Sequence, residues 1–407
     1  AINAGSGMVT IQNRTTGTLV AVGGADVLSG TPLTLGVSNA EINRVSAGTL
    51  KIGSTTAGNL NVSSAITSAA STGNLYLQTN GTATASASVA SGAGLFMQTT
   101  GLGISNTTGA TLTGTHISLD NTRGVINLST GAITPGTRTR TPTGPAIMIA
   151  EHVTASGNLN LYGQTPNNEG ILLWSGKQLS GGNIQAVGEA GNTYGVKLNA
   201  GASITTTGSS GNSMVKGLAA GVATNGQAAL QTANATLRAA AGTTLTLHGH
   251  ATTVAEDSNA NNRGLRIDGL IDTYGAITLT GDSGSNDGFL LQEGGINVRT
   301  GSLNINGSLM AQGGGWRSGV NISKPIQLYN GTSLTVVGQA QNTGVMTADK
   351  PEWGTRIDAA IGQAAGQTTA GDVSITGYTS SAQDSEGVLS NNNISTGTGN
   401  ITIVGQN

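Results

Sequence analysis

Hydrophobic and polar residues alternate along most of the chain, in short segments that begin and end with glycine. The commonest segment has the form Gly-x-Φ-x-Φ-x-Gly, in which Φ is Val, Ile or Leu. Alternation with a period of two places the apolar side chains on one face, so each segment predicts a short β-strand with one buried face. The clearest copies are residues 157–163, 275–281, 301–307, 371–377 and 399–405.

A second alternating segment, Gly-Φ-x-Φ, follows most of these copies after a polar stretch of variable length. A third strand often comes next, and the motifs recur about every 25–32 residues, which is typical of repeat proteins. One such unit cannot bury its apolar stripe alone, whereas stacked units bury it and pair each strand with the coils above and below. The second segments begin at Gly170, Gly264, Gly288, Gly319, Gly344 and Gly387.

This pattern predicts an all-β fold, a right-handed parallel β-helix (a solenoid) that forms an elongated rod. Parallel strands need a long crossover, and the rest of each coil provides it. The alternative is an antiparallel sandwich or barrel array, which also uses many short strands with glycine turns. Hairpin turns of the Asn-Gly or Asp-Gly type are sparse, and the repeat contains three unequally spaced strands, so the β-helix is favoured.

The clarity of the repeat divides the chain into three regions. Residues 1–133 predict a β-helix with short irregular coils, in which segments such as Val125–Leu128 keep the alternation. Residues 134–145 contain three of the seven prolines and predict a loop or a joint. Residues 146–407 predict a β-helix with clear repeats and an excursion at 339–370. Within that region, the alanine-rich residues 212–242 are either irregular coil or further rungs with Ala inside.

Composition restricts both the core and the partners. The 407 residues include 65 Gly, no Cys and 3% aromatic residues, so the core must be thin and built from Val, Ile, Leu and Ala. The formal net charge of −2, with 9% charged residues, provides no basic field that would attract nucleic acid. No run of about 18 apolar residues occurs, so we expect no membrane insertion.

The repeats from Gly157 to Leu173, from Gly275 to Leu291 and from Gly371 to Gly405 resemble the central rod of bacterial two-partner-secretion exoproteins, the filamentous-haemagglutinin-like adhesins. The resemblance implies a protein that is secreted to the bacterial cell surface with the help of an outer-membrane secretion partner. It also implies a role as an adhesin, a biofilm scaffold or a stalk that displays a toxin. The Asn-Pro-Asn motifs of the family's secretion domain do not occur in this sequence.

The excursion at 339–370 combines the densest charge of the sequence with an aromatic residue. Trp353 is expected to stack on the face of a sugar, while nearby charged groups bind its hydroxyl groups. In the alternative interpretation, Trp353 only fixes this segment to the coil. The candidate ligand-binding residues are Trp353, Arg356, Asp349 and Asp358.

Residues suited to catalysis or metal binding are few. The acidic residues are scattered and no pair recurs at one position of the repeat, so we expect no catalytic residues and no cofactor. His248 and His250 lie on one strand face, but two ligands without a third do not form a catalytic zinc site, and we expect no metal site. Asp282 begins a segment with the acid spacing of a calcium loop, but Asp287 stands where that loop needs glycine.

These observations predict a non-enzymatic extracellular adhesin, or a biofilm or surface scaffold rod, that attaches a bacterium to host or neighbouring cells, to glycans or to extracellular matrix. One alternative is a self-assembling extracellular fibre subunit that stacks end to end through unpaired strand edges. A second alternative is a β-helical enzyme that cleaves polysaccharides.

Overall fold

A computed structural model describes residues 1–220, 228–251, 262–311, 317–342, 352–368, 371–380 and 385–407. The chain divides into two compact units, Ala1–Gly188 and Glu189–Asn407. Most of the regular structure in the described residues is β-strand, joined by a short helix α1 (Asn39–Ile42) and one 3-10 turn (Ala70–Thr72). None of the described helices has the length and apolar character needed to cross a bilayer.

Short strands follow one another through both units. The strands that lie wholly in the first unit are β1 (Ile2–Asn3), β2 (Met8–Ile11), β3 (Leu19–Val22), β4 (Thr34–Val37), β5 (Val45–Ser46), β6 (Thr49–Gly53), β7 (Leu60–Val62), β8 (Ile66–Ser68), β9 (Asn74–Gln78), β10 (Ala83–Ala85), β11 (Val89–Ser91), β12 (Leu95–Gln98), β13 (Ile104–Asn106), β14 (Leu112–Gly114), β15 (Ile117–Asp120), β16 (Val125–Ile126), β17 (Ile133–Thr134), β18 (Ile147–Ile149), β19 (Val153–Ala155), β20 (Asn158–Thr165), β21 (Ile171–Leu173) and β22 (Gln178–Gly181). The division between the units falls within β23 (Asn183–Ala190). The strands of the second unit are β24 (Val196–Leu198), β25 (Ser203–Thr206), β26 (Gly211–Ala219), β27 (Ala228–Arg238), β28 (Thr243–Ala251), β29 (Arg263–Thr273), β30 (Ala276–Ser283), β31 (Phe289–Leu291), β32 (Gly295–Val298), β33 (Ser302–Ala311), β34 (Arg317–Ile322), β35 (Ile326–Leu328), β36 (Ser333–Asn342), β37 (Glu352–Ile357), β38 (Ile361–Gln363), β39 (Val373–Thr379), β40 (Glu386–Ser390) and β41 (Ile401–Gln406).

The strands of the first unit stack in three parallel columns, which the chain visits in turn. The first column pairs β2, β6, β9, β12, β15 and β20 in that order. The second pairs β3, β7, β10, β13, β18 and β21. The third pairs β8, β11, β14, β19 and β22. Each coil contributes a strand to each column, which is the arrangement of a parallel β-helix.

The second unit has the same arrangement with longer strands. Its first column pairs β26, β28, β30, β33, β36, β39 and β41. Its second column contains β24, β27, β29, β31, β34, β37 and β40, and a third joins β25, β32, β35 and β38 to the long strands β27 and β29. The predicted all-β parallel β-helix is therefore confirmed. Two features stay predictions. One is right-handed winding, which is the general rule for parallel crossovers, and the other is a rod shape.

Aliphatic side chains fill the interior of the coils. In the first unit, Leu50 and Ile52 of β6 pair in register with Leu75 and Leu77 of β9, and all four are buried. Equivalent inward positions in successive coils thus form ladders of aliphatic contacts, and burying one such side chain stabilises the fold by ~1.5–3 kcal/mol. The buried apolar residues are mainly Val, Ile, Leu and Ala, as the composition predicts.

Two facing columns of glycine explain the sequence motif of the second unit. The glycine that closes each first segment pairs in register with its equivalent in the next coil, as Gly281 does with Gly307 and Gly307 with Gly338. A Cβ added at Gly307 would overlap the carbonyl oxygen of Gly319, the glycine that opens the next segment. Glycine is needed at both positions because the two backbones approach too closely for any side chain.

One insertion in the first unit departs from the repeat. The alternation at Val125–Leu128 predicts another rung, but β16 pairs antiparallel with β17 and forms a small hairpin instead. By contrast, the strand pairings that form the columns of both units are parallel. Alternation reports that one face of a strand is buried and does not specify its neighbour, and here the buried Ile126 belongs to a segment outside the coil.

Two segments of the second unit are more regular than the sequence indicates. β26 and β27 are rungs with Ala219, Ala228 and Ala235 buried, so the described part of residues 212–242 forms further rungs with Ala inside. The excursion at 339–370 includes β37, which pairs in parallel with strands on both sides. Gly354 takes the motif position opposite Gly338, and Gly344, which the sequence assigns to that position, lies outside the described residues.

Candidate functional site

The hairpin of β16 and β17 covers part of the outer face of the first column. It is held by backbone contacts to side chains of that face: Ser118 Oγ donates to the Gly131 carbonyl at 2.6 Å, and Asn74 Nδ2 donates to the Leu128 carbonyl at 2.9 Å. Phe96, whose side chain points away from the core in the alternation of β12, is buried as a result. The hairpin thus converts an outer sheet face into the wall of a cleft.

An open cleft of about 500 Å³ lies beside the hairpin, entirely within the first unit. Outward side chains of β6, β9 and β12 provide its polar surface, and the hairpin provides an apolar wall. Arg123, in the turn that enters the hairpin, has φ of 58°, a left-handed conformation that is uncommon for residues other than glycine. The side chains that matter for the chemistry of the cleft are Lys51, Tyr76, Gln78, Gln98, Arg123 and Val125.

A chain of hydrogen bonds fixes the polar side chains of the cleft. The Tyr76 hydroxyl donates to Gln98 Oε1 at 2.6 Å, and Gln78 Nε2 donates to the same oxygen at 2.6 Å. Gln98 Nε2 donates to Asp120 Oδ2 at 2.8 Å. Asp120 is buried and also accepts from the Gly124 amide at 2.7 Å, so it joins this network to the start of the hairpin. The network holds the cleft in one geometry, as preorganised binding sites require.

The cleft carries positive charge. Lys51 lies over the Tyr76 ring at 5.1 Å from the centroid, and Arg123 is the second cation of the lining. Burial lowers the pKa of Lys51. Burial, followed by the negative charge of Asp120, raises the pKa of Tyr76 to about 12, so the phenol stays a neutral hydrogen-bonding group. The described residues of the lining include no carboxylate. Asp120 behind Gln98 offsets one of the two positive charges, so the cleft keeps a net positive charge that suits an anionic ligand.

The structure brings together three of the four ligand-binding residues expected from the sequence. Trp353 lies in β37 and is 4% exposed, which differs from the projecting segment that the sequence suggests. The Arg356 guanidinium lies over the Trp353 ring at 4.7 Å, and Arg356 Nε is 2.8 Å from Asp358 Oδ2. Asp349 lies outside the described residues. Ligand binding at this cluster stays a prediction, and its indole offers little free surface for stacking.

A His-His-Asp cluster lies on the outer face of the second unit. His248 Nε2 is 2.9 Å from Asp282 Oδ2, and His250 Nδ1 is 3.4 Å from the same oxygen. The two rings meet edge to face with centroids 6.2 Å apart. The sequence shows the two histidines on one strand face, but Asp282 joins them only because β30 is the next strand of the column.

Buried charges form a second polar cluster in this unit. Asp287 Oδ2 is 3.7 Å from Arg263 Nε, and its other oxygen accepts from the Ser318 amide at 2.9 Å. Arg317 of β34 pairs in register with Glu352 of β37, and both side chains are buried. Burial raises the pKa of Asp287, raises the pKa of Glu352 to about 7 and lowers the pKa of Arg317. Each shift has the sign expected when a low-dielectric environment disfavours charge.

Comparisons of this chain with protein-family models, with curated proteins and with solved structures find no match. The candidate sites therefore rest on the geometry of the chain itself. The cleft could not be identified from the sequence, because the cleft residues are spread over several coils and over a hairpin whose sequence alternates in the same way as a rung. The one available signal was the unusual concentration of Lys, Tyr, Phe and Gln on outward positions of β6, β9 and β12.

Proposed function

We propose that the protein is a non-enzymatic extracellular adhesin, or surface scaffold, of a bacterium, and that the cleft beside the hairpin binds an acidic glycan. The cleft carries this proposal, because it combines two cations, amide groups and an apolar wall in one fixed surface. Carbohydrate sites need such directional polar groups next to an apolar surface, and an anionic sugar also requires positive charge. Regular coils elsewhere present mainly Thr, Ser and Asn, which offer less discrimination.

The extracellular location and the two-partner-secretion relationship belong to the same proposal. The Gly-x-Φ-x-Φ-x-Gly repeats support them, because they resemble the rods of that family. The parallel β-helix is consistent with such a rod. Attachment to cells, glycans or matrix is then the function that this architecture serves by presenting the cleft at the surface.

The proposal is tested with glycan arrays and with calorimetric titration of acidic and neutral oligosaccharides. We expect saturable binding of carboxylate- or sulfate-bearing glycans. Lys51→Gln should lower their affinity by about 10–100-fold, since a hydrogen bond to a charged group contributes ~1.5–3 kcal/mol. Val125→Asp should also weaken binding, because Val125 is 71% exposed on the wall and the new charge repels an anion.

Two matched variants control for nonspecific effects. Lys324→Gln removes a lysine outside the cleft, and Leu28→Asp changes an apolar residue that is 85% exposed elsewhere in the first unit. Both should bind as the unmodified protein does. Equal affinity for neutral and acidic glycans, or equal losses in the controls, would contradict the proposal. Release of new reducing ends during incubation with polysaccharide would favour the enzyme alternative.

A second candidate function is the fibre subunit, which can be tested at β41. The strand β41 leaves Ile401, Ile403 and Val404 exposed, although Ile401 and Ile403 continue the buried column of Val373 and Ile375. In the polypeptide of these 407 residues, a second copy that stacks on β41 would cover this apolar column. The two functions differ in oligomeric state, which sedimentation velocity measures.

A further inference from the structure

We infer that His248, His250 and Asp282 form a binding site for a divalent transition-metal ion of the borderline class, such as Zn²⁺, Ni²⁺ or Cu²⁺. Such a site is independent of the proposed glycan cleft, which lies in the other unit. It rests on the convergence of three ligand atoms on the outer face of β28 and β30. All three lie within 4.8 Å of one another.

The fold positions these ligands on two neighbouring strands. His248 and His250 are two residues apart in β28, so their side chains leave the same face of the strand. β30 pairs with β28 in parallel, and the register places Asp282 directly beside His250. Adjacent parallel strands lie about 4.8 Å apart, and this spacing lets one carboxylate reach both imidazoles.

The distances between the ligand atoms agree with coordination of one ion. Metal–nitrogen and metal–oxygen bonds of about 2.0–2.2 Å in tetrahedral geometry separate ligand atoms by about 3.3–3.5 Å. His250 Nδ1 and Asp282 Oδ2 are already 3.4 Å apart, whereas His248 Nε2 and Asp282 Oδ2 are 2.9 Å apart. A rotation of the His248 ring that opens the shorter distance by about 0.5 Å would bring this pair into the same range, and the two imidazole nitrogens lie within 4.8 Å of each other.

Charge and access also fit a cation. Asp282 places a carboxylate oxygen within 3.4 Å of ring nitrogens of both His248 and His250, so the cluster offers a negative charge to an ion. All three side chains are partly exposed, so an ion can enter and keep water at its remaining coordination position. On one side of the cluster, Lys216 of β26 pairs in register with His248, and its positive charge disfavours a bound cation. On the other side, the neighbouring residues Asn306 and Ser308 of β33 are uncharged.

The donor set selects the class of ion. Two imidazole nitrogens and one carboxylate suit Zn²⁺, Ni²⁺ and Cu²⁺, whereas Mg²⁺ and Ca²⁺ prefer sites made of oxygen atoms. Three protein ligands leave a position for water or for a ligand from outside. A bound ion would join β28 to β30, so it should stabilise the folded protein by mass action.

The test is calorimetric titration of the chelator-treated, tag-free chain with Zn²⁺, and separately with Mg²⁺, at about pH 7.5. We expect one saturable Zn²⁺ site, weaker Mg²⁺ binding and a melting temperature that rises with Zn²⁺. His250→Gln and Asp282→Asn should each lower Zn²⁺ affinity at least tenfold, because even outer partners of metal ligands contribute about 10–100-fold. Zinc X-ray absorption should show nitrogen and oxygen ligands at about 2.0–2.2 Å.

His152→Gln is the matched control. His152 Nε2 also lies near a carboxylate, 3.3 Å from Glu151 Oε1, but in the described residues no second imidazole joins that pair. This variant should bind Zn²⁺ as the unmodified chain does. Absence of saturable Zn²⁺ binding, equal affinity for Mg²⁺, or affinity unchanged in His250→Gln and Asp282→Asn would overturn the inference.

Discussion

Glu352 is a buried glutamate whose two carboxylate oxygens have no hydrogen-bond partner in the described part of the chain. Its register neighbour Arg317 provides some compensating charge, but burial dominates and raises the pKa of Glu352 from its ordinary 4.5 to about 7. A buried carboxyl without hydrogen bonds is costly when ionised and much less so when protonated. The protonated form is therefore the one that suits this site.

The pH dependence of stability follows from this shift. Between about pH 4.5 and about pH 7, the folded state holds a proton on Glu352 that the unfolded state has lost, so the free energy of unfolding should fall as the pH rises through this interval. Glu352→Gln, which is neutral at every pH, should flatten this slope in urea titrations. Some slope should persist, because burial raises the pKa of Asp287 as well.

Glu386→Gln is the control for that experiment, since Glu386 is exposed in the neighbouring strand β40. It should leave the slope between acidic and neutral pH as it is in the unmodified chain. An identical slope in Glu352→Gln and the unmodified chain would show that Glu352 ionises without penalty and that its environment is wetter than the structure indicates.

Individual sites were the least predictable part of the molecule from its sequence. The partner of His248 and His250 is Asp282, some thirty residues further along the chain, and only the strand register brings it beside them. The sequence places Trp353 in an excursion from the coils because its segment has the densest charge of the chain, yet Trp353 lies buried in a paired strand. Register is determined by the lengths of the intervening loops, which the alternation pattern does not encode.

At the scale of elements, the glycine motif determines how closely two columns of strands approach. The long strands of the second unit continue past the motif glycine, so that small apolar groups such as Leu309 with Ala340 pack beyond the point of closest approach. The alternation predicted the strands and the type of core correctly, because inward residues recur with a period of two in nearly every coil. It misassigned Val125–Leu128, where the same pattern belongs to a hairpin outside the coil.

Gly307→Ala tests this close approach. The added methyl group would overlap the Gly319 carbonyl oxygen, and relief requires two backbones to separate. We expect a loss of about 1–3 kcal/mol or more in the free energy of unfolding, measured by urea titration. Gly144→Ala is the matched control, because nothing lies within 4 Å of a Cβ at that position and its backbone is not left-handed. Similar midpoints for both variants would contradict the proposed role of the glycine columns.

At the scale of the whole molecule, low charge and repetition leave the coil that contains β41 poorly protected in the polypeptide of these 407 residues. Charged residues make up 9% of the 407-residue chain, and β41 contains none. Proteins usually protect strand edges with charged residues, proline or a covering segment, because unpaired backbone groups attract other strands. β41 pairs with β39, and its other edge has no strand partner among the described residues.

We therefore expect the polypeptide of these 407 residues to self-associate through β41 as its concentration rises in sedimentation velocity. Ile403→Lys should reduce this association, because Ile403 is 48% exposed at the end of the apolar column and a buried lysine would be costly there. Leu28→Lys, at an exposed apolar position outside β41, should associate as the unmodified chain does. Association that survives in Ile403→Lys would exclude this edge as its cause. Growth into filaments in electron micrographs would favour the fibre function, because it requires contacts at two surfaces, whereas arrest at a dimer would leave β41 as a single self-complementary edge and favour the adhesin.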